Sequence, residues 1–143
     1  MTKAVAMTLL LSALALPALG CEGLSLENAR IIEAPPGAAV LAAYATFKNN
    51  GAQAITINAV DSPLFDSGEF HQMRMADGMM HMEKQDTVII APHGSMTLRS
   101  GEGHLMLMQP KHRLKRGDSV PVTLHCGAQA STFNFPVQAP QSN

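Results

Sequence analysis

From Leu24 onward the chain alternates apolar and polar positions in short runs cut by turn residues. A period of two marks half-buried β-strands. Leu24 to Ala34 reads as a first strand, closed by Pro35-Pro36-Gly37. Val40 to Lys48 is a second, closed by Asn49-Asn50-Gly51, and Ala54 to Val60 a third, closed by Asp61-Ser62-Pro63. Further strands are expected at Phe65–Met75, Met79–Lys84, Thr87–Ile90, Ser95–Arg99, His104–Gln109, Ser119–Leu124 and Ser131–Val137. Between them stand turn signals such as Asp77-Gly78, Pro92-His93-Gly94, Gly101-Glu102-Gly103 and Arg116-Gly117-Asp118. Ala38–Ala45 is rich enough in alanine to permit a helix, but Tyr44-Ala45-Thr46-Phe47 favours a strand. Many short strands at this spacing predict an all-β fold, a sandwich or Greek-key barrel.

The first twenty residues break the pattern. Lys3 precedes a nearly unbroken apolar run from Val5 to Leu16, and Ala18-Leu19-Gly20 follows with small residues at the two positions a signal peptidase reads. The run is too short to span a membrane and reads as a signal peptide, residues 1–20. The mature chain then starts at Cys21 and holds 123 residues, enough for one core. Residues 21–138 are expected to form a single domain and 139–143 a frayed tail. Export to an oxidising compartment favours a disulfide between the two cysteines, Cys21 and Cys126. The alternative is a lipoprotein acylated at Cys21, but Ala18 stands where a lipobox has leucine.

Charge removes several functions. The net charge is −1, and no basic patch is interleaved with aromatics, so no nucleic-acid partner is expected. No nucleophile–base motif, paired carboxylates or phosphate loop is present, and Glu69, Asp77, Glu83 and Glu102 read as strand-face or turn residues. The expected protein is not an enzyme.

The chemistry lies in the spacing of histidine and methionine. His71 is followed after ten residues by Met82, and twenty-one residues later by His104-Leu105-Met106. On a strand His104 and Met106 share a face about 7 Å apart. Asp77-Gly78 predicts a two-residue hairpin in which Met73 faces Met82 and Met75 faces Met80. His71 is then a diagonal neighbour of Met82, about 7–8 Å away. The same register turns Met79 and His81 to the other face, with Gln72 and Arg74. Two imidazoles and two thioethers form a neutral, soft donor set suited to monovalent copper, Cu(I). Thioethers carry no proton and cannot be lost to disulfides, and affinity should fall as the imidazoles protonate below about pH 6.

Eight methionines remain after the signal peptide. Met is an ordinary core filler, so Met73, Met75, Met80, Met96 and Met108 are expected to pack or to flank the site rather than ligate. His93 falls in a turn and His112 among Lys111, Arg113, Lys115 and Arg116, both exposed. His125 beside Cys126 lacks the further ligands of a blue-copper centre.

The pattern His71, Met82, His104 and Met106 resembles the motif of the periplasmic PCu(A)C copper chaperones. Gly78-Met79-Met80-His81-Met82 is similar to that family's Gly-x-Met-x-Met segment, and Gly103-His104-Leu105-Met106-Leu107-Met108 to its His-x-Met-Leu-Met segment. Leu114 to Leu124 and the region of Tyr44 and Asn49 also fit, so the resemblance covers about residues 24 to 137. It implies a cupredoxin-like β-sandwich in the periplasm. It implies ligand roles for His71, Met82, His104 and Met106. It also implies delivery of Cu(I) to the copper site of a haem-copper (cytochrome c) oxidase, with a thiol-bearing copper chaperone as a further partner. A copper-buffering or resistance protein with the same site is the alternative function, and a secreted adhesive β-sandwich without metal a more distant one.

Overall fold

The computed structural model describes residues 21–141, so the expected signal peptide lies outside the described residues. Eleven strands make up the described chain: β1 (Leu24–Ile32), β2 (Val40–Asn49), β3 (Ile55–Ile57), β4 (Ala59–Asp61), β5 (Phe65–Ala76), β6 (Met79–Gln85), β7 (Val88–Ile90), β8 (Ser95–Leu98), β9 (Gly103–Pro110), β10 (Ser119–Cys126) and β11 (Gln129–Gln138). They form an all-β sandwich. The main sheet runs β4-β10-β11-β1-β2-β9-β5-β6, with β8 also bonded to β2, and β3 pairs with β7 in a small second sheet. Only β1 and β11 pair in parallel. The β2 strand shares one edge between two partners: Val40–Ala43 pair with β9, and Ala45–Lys48 with β8. The sheet curls until β4 lies against β5, closing the core.

Strict alternation drives this arrangement. Along β2 every second residue from Leu41 to Asn49 is buried, and β9 and β10 show the same rhythm. The apolar faces of Ile31, Phe47, Leu105, Leu107, Val120, Val122, Leu124 and Phe135 are fully removed from water. Each such side chain contributes about 1.5–3 kcal/mol of transfer free energy. Phe47 and Phe70 meet edge to face with ring centroids 5.9 Å apart. The buried Asn49 is satisfied by backbone: Nδ2 donates to the carbonyls of Gln53 (2.6 Å) and Ile90 (3.1 Å), and Oδ1 accepts from the Gly51 N–H (2.9 Å). It thereby ties the turn after β2 to β7.

The expected third strand, Ala54 to Val60, is corrected by the structure into two. Ile55–Ile57 pair with β7, whereas Ala59–Asp61 pair with β10. The chain changes sheets at Asn58, whose N–H donates to the His125 carbonyl (2.9 Å) and whose Oδ1 accepts from Gly127 N (3.1 Å). A continuous apolar run gives no sign of such a step. Ala38–Ala45 contains strand and no helix, as its aromatic and β-branched end favoured.

Cys21 and Cys126 form a disulfide, with Cα atoms 5.7 Å apart across a sequence separation of 105. It joins the segment leading into β1, three residues before Leu24, to the end of β10. The Cys21 N–H also donates to Ser131 Oγ (2.7 Å) on β11.

Candidate metal centre

The β5–β6 hairpin turns through Asp77 (φ 52°) and Gly78 (φ 75°). Positive φ at both central residues is the type I′ geometry, whose twist matches that of the flanking strands. A two-residue turn fixes the register: Ala76 faces Met79, Met75 faces Met80, Arg74 faces His81, Met73 faces Met82, and His71 faces Lys84. His71 and Met82 are therefore diagonal neighbours on one face. His81 stands on the other face with Arg74, as the turn predicted. The other flank of β5 pairs with β9, where His71 lies directly opposite His104, and Glu69 opposite Met106. Alternation sends Leu105 and Leu107 into the core and leaves His104, Met106 and Met108 half-buried on the outer face.

Three adjacent strands, β9, β5 and β6, thus bring His104, Met106, His71 and Met82 onto one sheet face. The two imidazoles stack, with ring centroids 5.6 Å apart and planes 18° apart. Met82 is 41 % exposed. The face is open: none of these residues lines the wide cleft by the disulfide, which is bounded by Cys21, Asn50, Gly51, Ile55 and Cys126.

Glu69, expected as a plain strand-face residue, lies against His71 in this site. Its Oε2 lies 2.9 Å from His71 Nε2, and its Oε1 is 3.2 Å from Lys84 Nζ. The hydrogen bond from His71, followed by that from Lys84, holds the Glu69 carboxyl below its ordinary pKa. A carboxylate facing Nε2 selects the tautomer that carries its proton there. The His71 Nδ1 is then the lone-pair nitrogen, and it is buried without any hydrogen-bond partner. A buried acceptor left unpaired is costly, and a cation is one group that satisfies it. Burial, and secondarily the neighbouring His71, push the His104 pKa below its usual value, so His104 keeps a neutral, donor-ready ring to lower pH. Glu69 was legible in principle: it sits two residues from His71 and shares its face by simple alternation.

The remaining candidates lie elsewhere. His93 occupies a turn at φ 56° and is exposed, as is His112. His125 Nε2 contacts Asp61 Oδ2 at 2.6 Å. Met96 packs against the core and accepts a weak contact from Gln72 Nε2 at 3.9 Å. Packing does not account for Met75 and Met80, which are 64 % and 52 % exposed.

A β-sandwich that presents stacked imidazoles and thioethers on one outer sheet face defines the class of small single-domain proteins with a surface soft-donor site. Residues 24–137 match the family described as "Putative lipoprotein LpqE-like", and the chain belongs to that family, the one that holds the PCu(A)C copper chaperones. Among solved structures, the copper-bound PCuAC domain from PmoF2 superposes with a TM-score of 0.69 at 21 % identity, covering 86 % of this chain and 97 % of that one. Apo-DR1885 from Deinococcus radiodurans reaches 0.64 at 26 % identity, over 98 % and 96 % of the two chains. The CuI form of DR1885 is 30 % identical, with a TM-score of 0.53 over 89 % of this chain and 80 % of that one. No curated protein is similar enough to match.

Proposed function

We propose that this chain is a non-enzymatic periplasmic copper chaperone, exported by a signal peptide at residues 1–20, whose domain at 21–138 binds Cu(I) through His71, His104, Met82 and Met106. The observation that carries this reading is the stacked His71–His104 pair, flanked by Met106 on β9 and by Met82 diagonally across the hairpin. Four neutral donors, two of them thioethers, favour the soft monovalent ion. The buried, unpartnered Nδ1 of His71 supports it, as does the CuI form of a relative that is 30 % identical.

The chain's own residues do three things in this scheme. Glu69, braced by Lys84, holds the His71 ring. The β5–β9 pairing places His104 against it. The hairpin carries Met82 at the rim, where a partner's donor can replace it first. Transfer then proceeds by stepwise ligand exchange, with the ion passing to the copper site of a haem-copper oxidase directly or through a thiol-bearing chaperone. Among the described residues no helix is long and apolar enough to cross a membrane. In this reading Cys21 is held in the disulfide with Cys126 and is not acylated, which the pairing of the two sulfurs supports.

The site is tested by Cu(I) titration under reducing conditions. The Met82→Leu/Met106→Leu variant should lose most of its affinity, and unchanged affinity would sink the ligand assignment. Delivery is tested in a deletion strain. Loss of oxidase activity at low copper supports it, and sensitivity only to excess copper points to buffering instead.

A further inference from the structure

Four of the six exposed large hydrophobic side chains of the described residues are methionines of one hairpin: Met75, Met79, Met80 and Met82. An exposed thioether gains nothing from packing, and a soluble protein would be served as well by polar residues there. Three of the four, with the half-buried Met73, share one face of the β5–β6 ribbon. They form two rungs, Met75 opposite Met80 at the tip and Met73 opposite Met82 one step inward. Residues directly opposite on antiparallel strands have Cβ atoms about 4.5–5.5 Å apart. Met is unbranched with three rotatable side-chain bonds, so both sulfurs of a rung can converge on one ion. The charged residues of the hairpin do not compete for this face: Arg74 and Glu83 pair at 3.3 Å on the other side, and Lys84 is engaged by Glu69 further in.

We propose that Met75 and Met80 form a second, weaker soft-metal site at the hairpin tip, an entry port for monovalent copper that leads along the Met73–Met82 rung to His71 and His104. This rests on the ligand reading above for the inner end of the path. Two thioethers without imidazole bind the ion more loosely than two thioethers with a pair of imidazoles, so occupancy runs downhill from tip to inner site. Rungs on one face are about 7 Å apart, a distance that long side chains bridge. Each move is a ligand exchange in which an incoming sulfur bonds the ion before the outgoing one leaves. The ion keeps its charge, and neither protons nor electrons move.

The probe is silver(I), monovalent, soft and inert to redox, added to the apo protein carrying 13C-labelled methionine methyls. The first equivalent should shift the Met82 and Met106 methyls, and further silver should shift those of Met75 and Met80. The Met75→Leu/Met80→Leu variant, conservative in volume at exposed positions, should keep the first event and lose the second. Tip methyls that stay at their apo positions through excess silver overturn the proposal, as does a second event that survives in the double variant. Movement of the tip methyls while Met82 and Met106 stay still leaves the tip site standing and refutes the inner ligand assignment.

Discussion

Glu69 grips His71: Oε2 lies 2.9 Å from Nε2, and the other carboxylate oxygen is held by Lys84 at 3.2 Å. The contact fixes which nitrogen carries the proton and which is free to donate. Partners of this kind around a metal-binding histidine are commonly worth 10–100-fold in affinity, by order of magnitude. Glu69→Gln should therefore weaken Cu(I) binding by roughly 10–100-fold while leaving the stoichiometry of the inner site intact. Nitrogen-15 NMR of the apo protein gives an independent reading: His71 should be the Nε2-protonated tautomer in the wild type and a mixture in the variant. A single unchanged tautomer in Glu69→Gln would show that the carboxylate does not set it.

Acid should loosen the apo fold through His104. Its folded pKa lies below the ordinary 6.5, with burial the main cause and His71 the second. As pH falls, the unfolded chain takes up the proton first, so the stabilisation is present above pH 6.5 and is lost as pH drops toward and through the folded value. The Glu69 carboxyl is also depressed, and its contribution likewise fades below its ordinary 4.5. Melting temperature should fall between pH 7 and pH 5, and His104→Gln should flatten the decline. The same depression means that protons compete for His104 at lower pH than for a free imidazole, so Cu(I) affinity should persist further into acid than model imidazole chemistry suggests.

Gly103 marks a close approach beside the site. A Cβ there would stand 2.9 Å from the His71 carbonyl oxygen and 3.2 Å from Leu98 Cδ2. Backbone cannot step aside as a side-chain tip can. Gly103→Ala should cost about 1–3 kcal/mol, as overpacking does, and should also weaken copper binding, because the displaced contact separates β9 from β5 at the Gln72–Gly103 pair, next to the pair that stacks His71 on His104. Urea denaturation and metal titration on one sample test both; a variant with full affinity and unchanged midpoint would contradict the geometry.

The disulfide should matter for stability and not for the metal. Replacing both Cys21 and Cys126 by Ser should cost about 2–5 kcal/mol, read from the denaturant midpoint, with Cu(I) affinity preserved because none of the proposed ligands touches either sulfur. Intact mass of the exported protein is the companion measurement. An unacylated chain with both thiols oxidised is expected, and a lipid adduct on Cys21 would contradict the pairing.

Much of the site could be read from residue order because two local rules apply to it. A two-residue Asp-Gly turn counts the hairpin register for Met73, Met75, Met80 and Met82, and strand alternation puts Met106 beside His104. Neither rule reaches across to a strand far along the chain. That His71 faces His104 depends on β5 pairing with β9, a long-range choice made by the burial of Phe70, Leu105 and Leu107. Glu69 escaped notice because a carboxylate on an exposed strand face is ordinary until its histidine neighbour is shown to bond it. Of the spare methionines expected to pack or to flank the site, Met96 packs against the core, whereas Met75 and Met80 stand exposed on the hairpin; composition does not say which side of an edge hairpin has nothing above it. The split of Ala54–Val60 was equally hidden, because one apolar run can serve two sheets.

The disulfide has a consequence for damage to the hairpin. The Asp77-Gly78 turn lies between Cys21 and Cys126 in the chain, so a single cut there severs the polypeptide without separating the pieces. The fragment bearing His71 and the fragment bearing Met82, His104 and Met106 would migrate as one species until a reductant is added. Proteolysis at this exposed turn would thus leave a two-chain protein with all four proposed donors still tethered together.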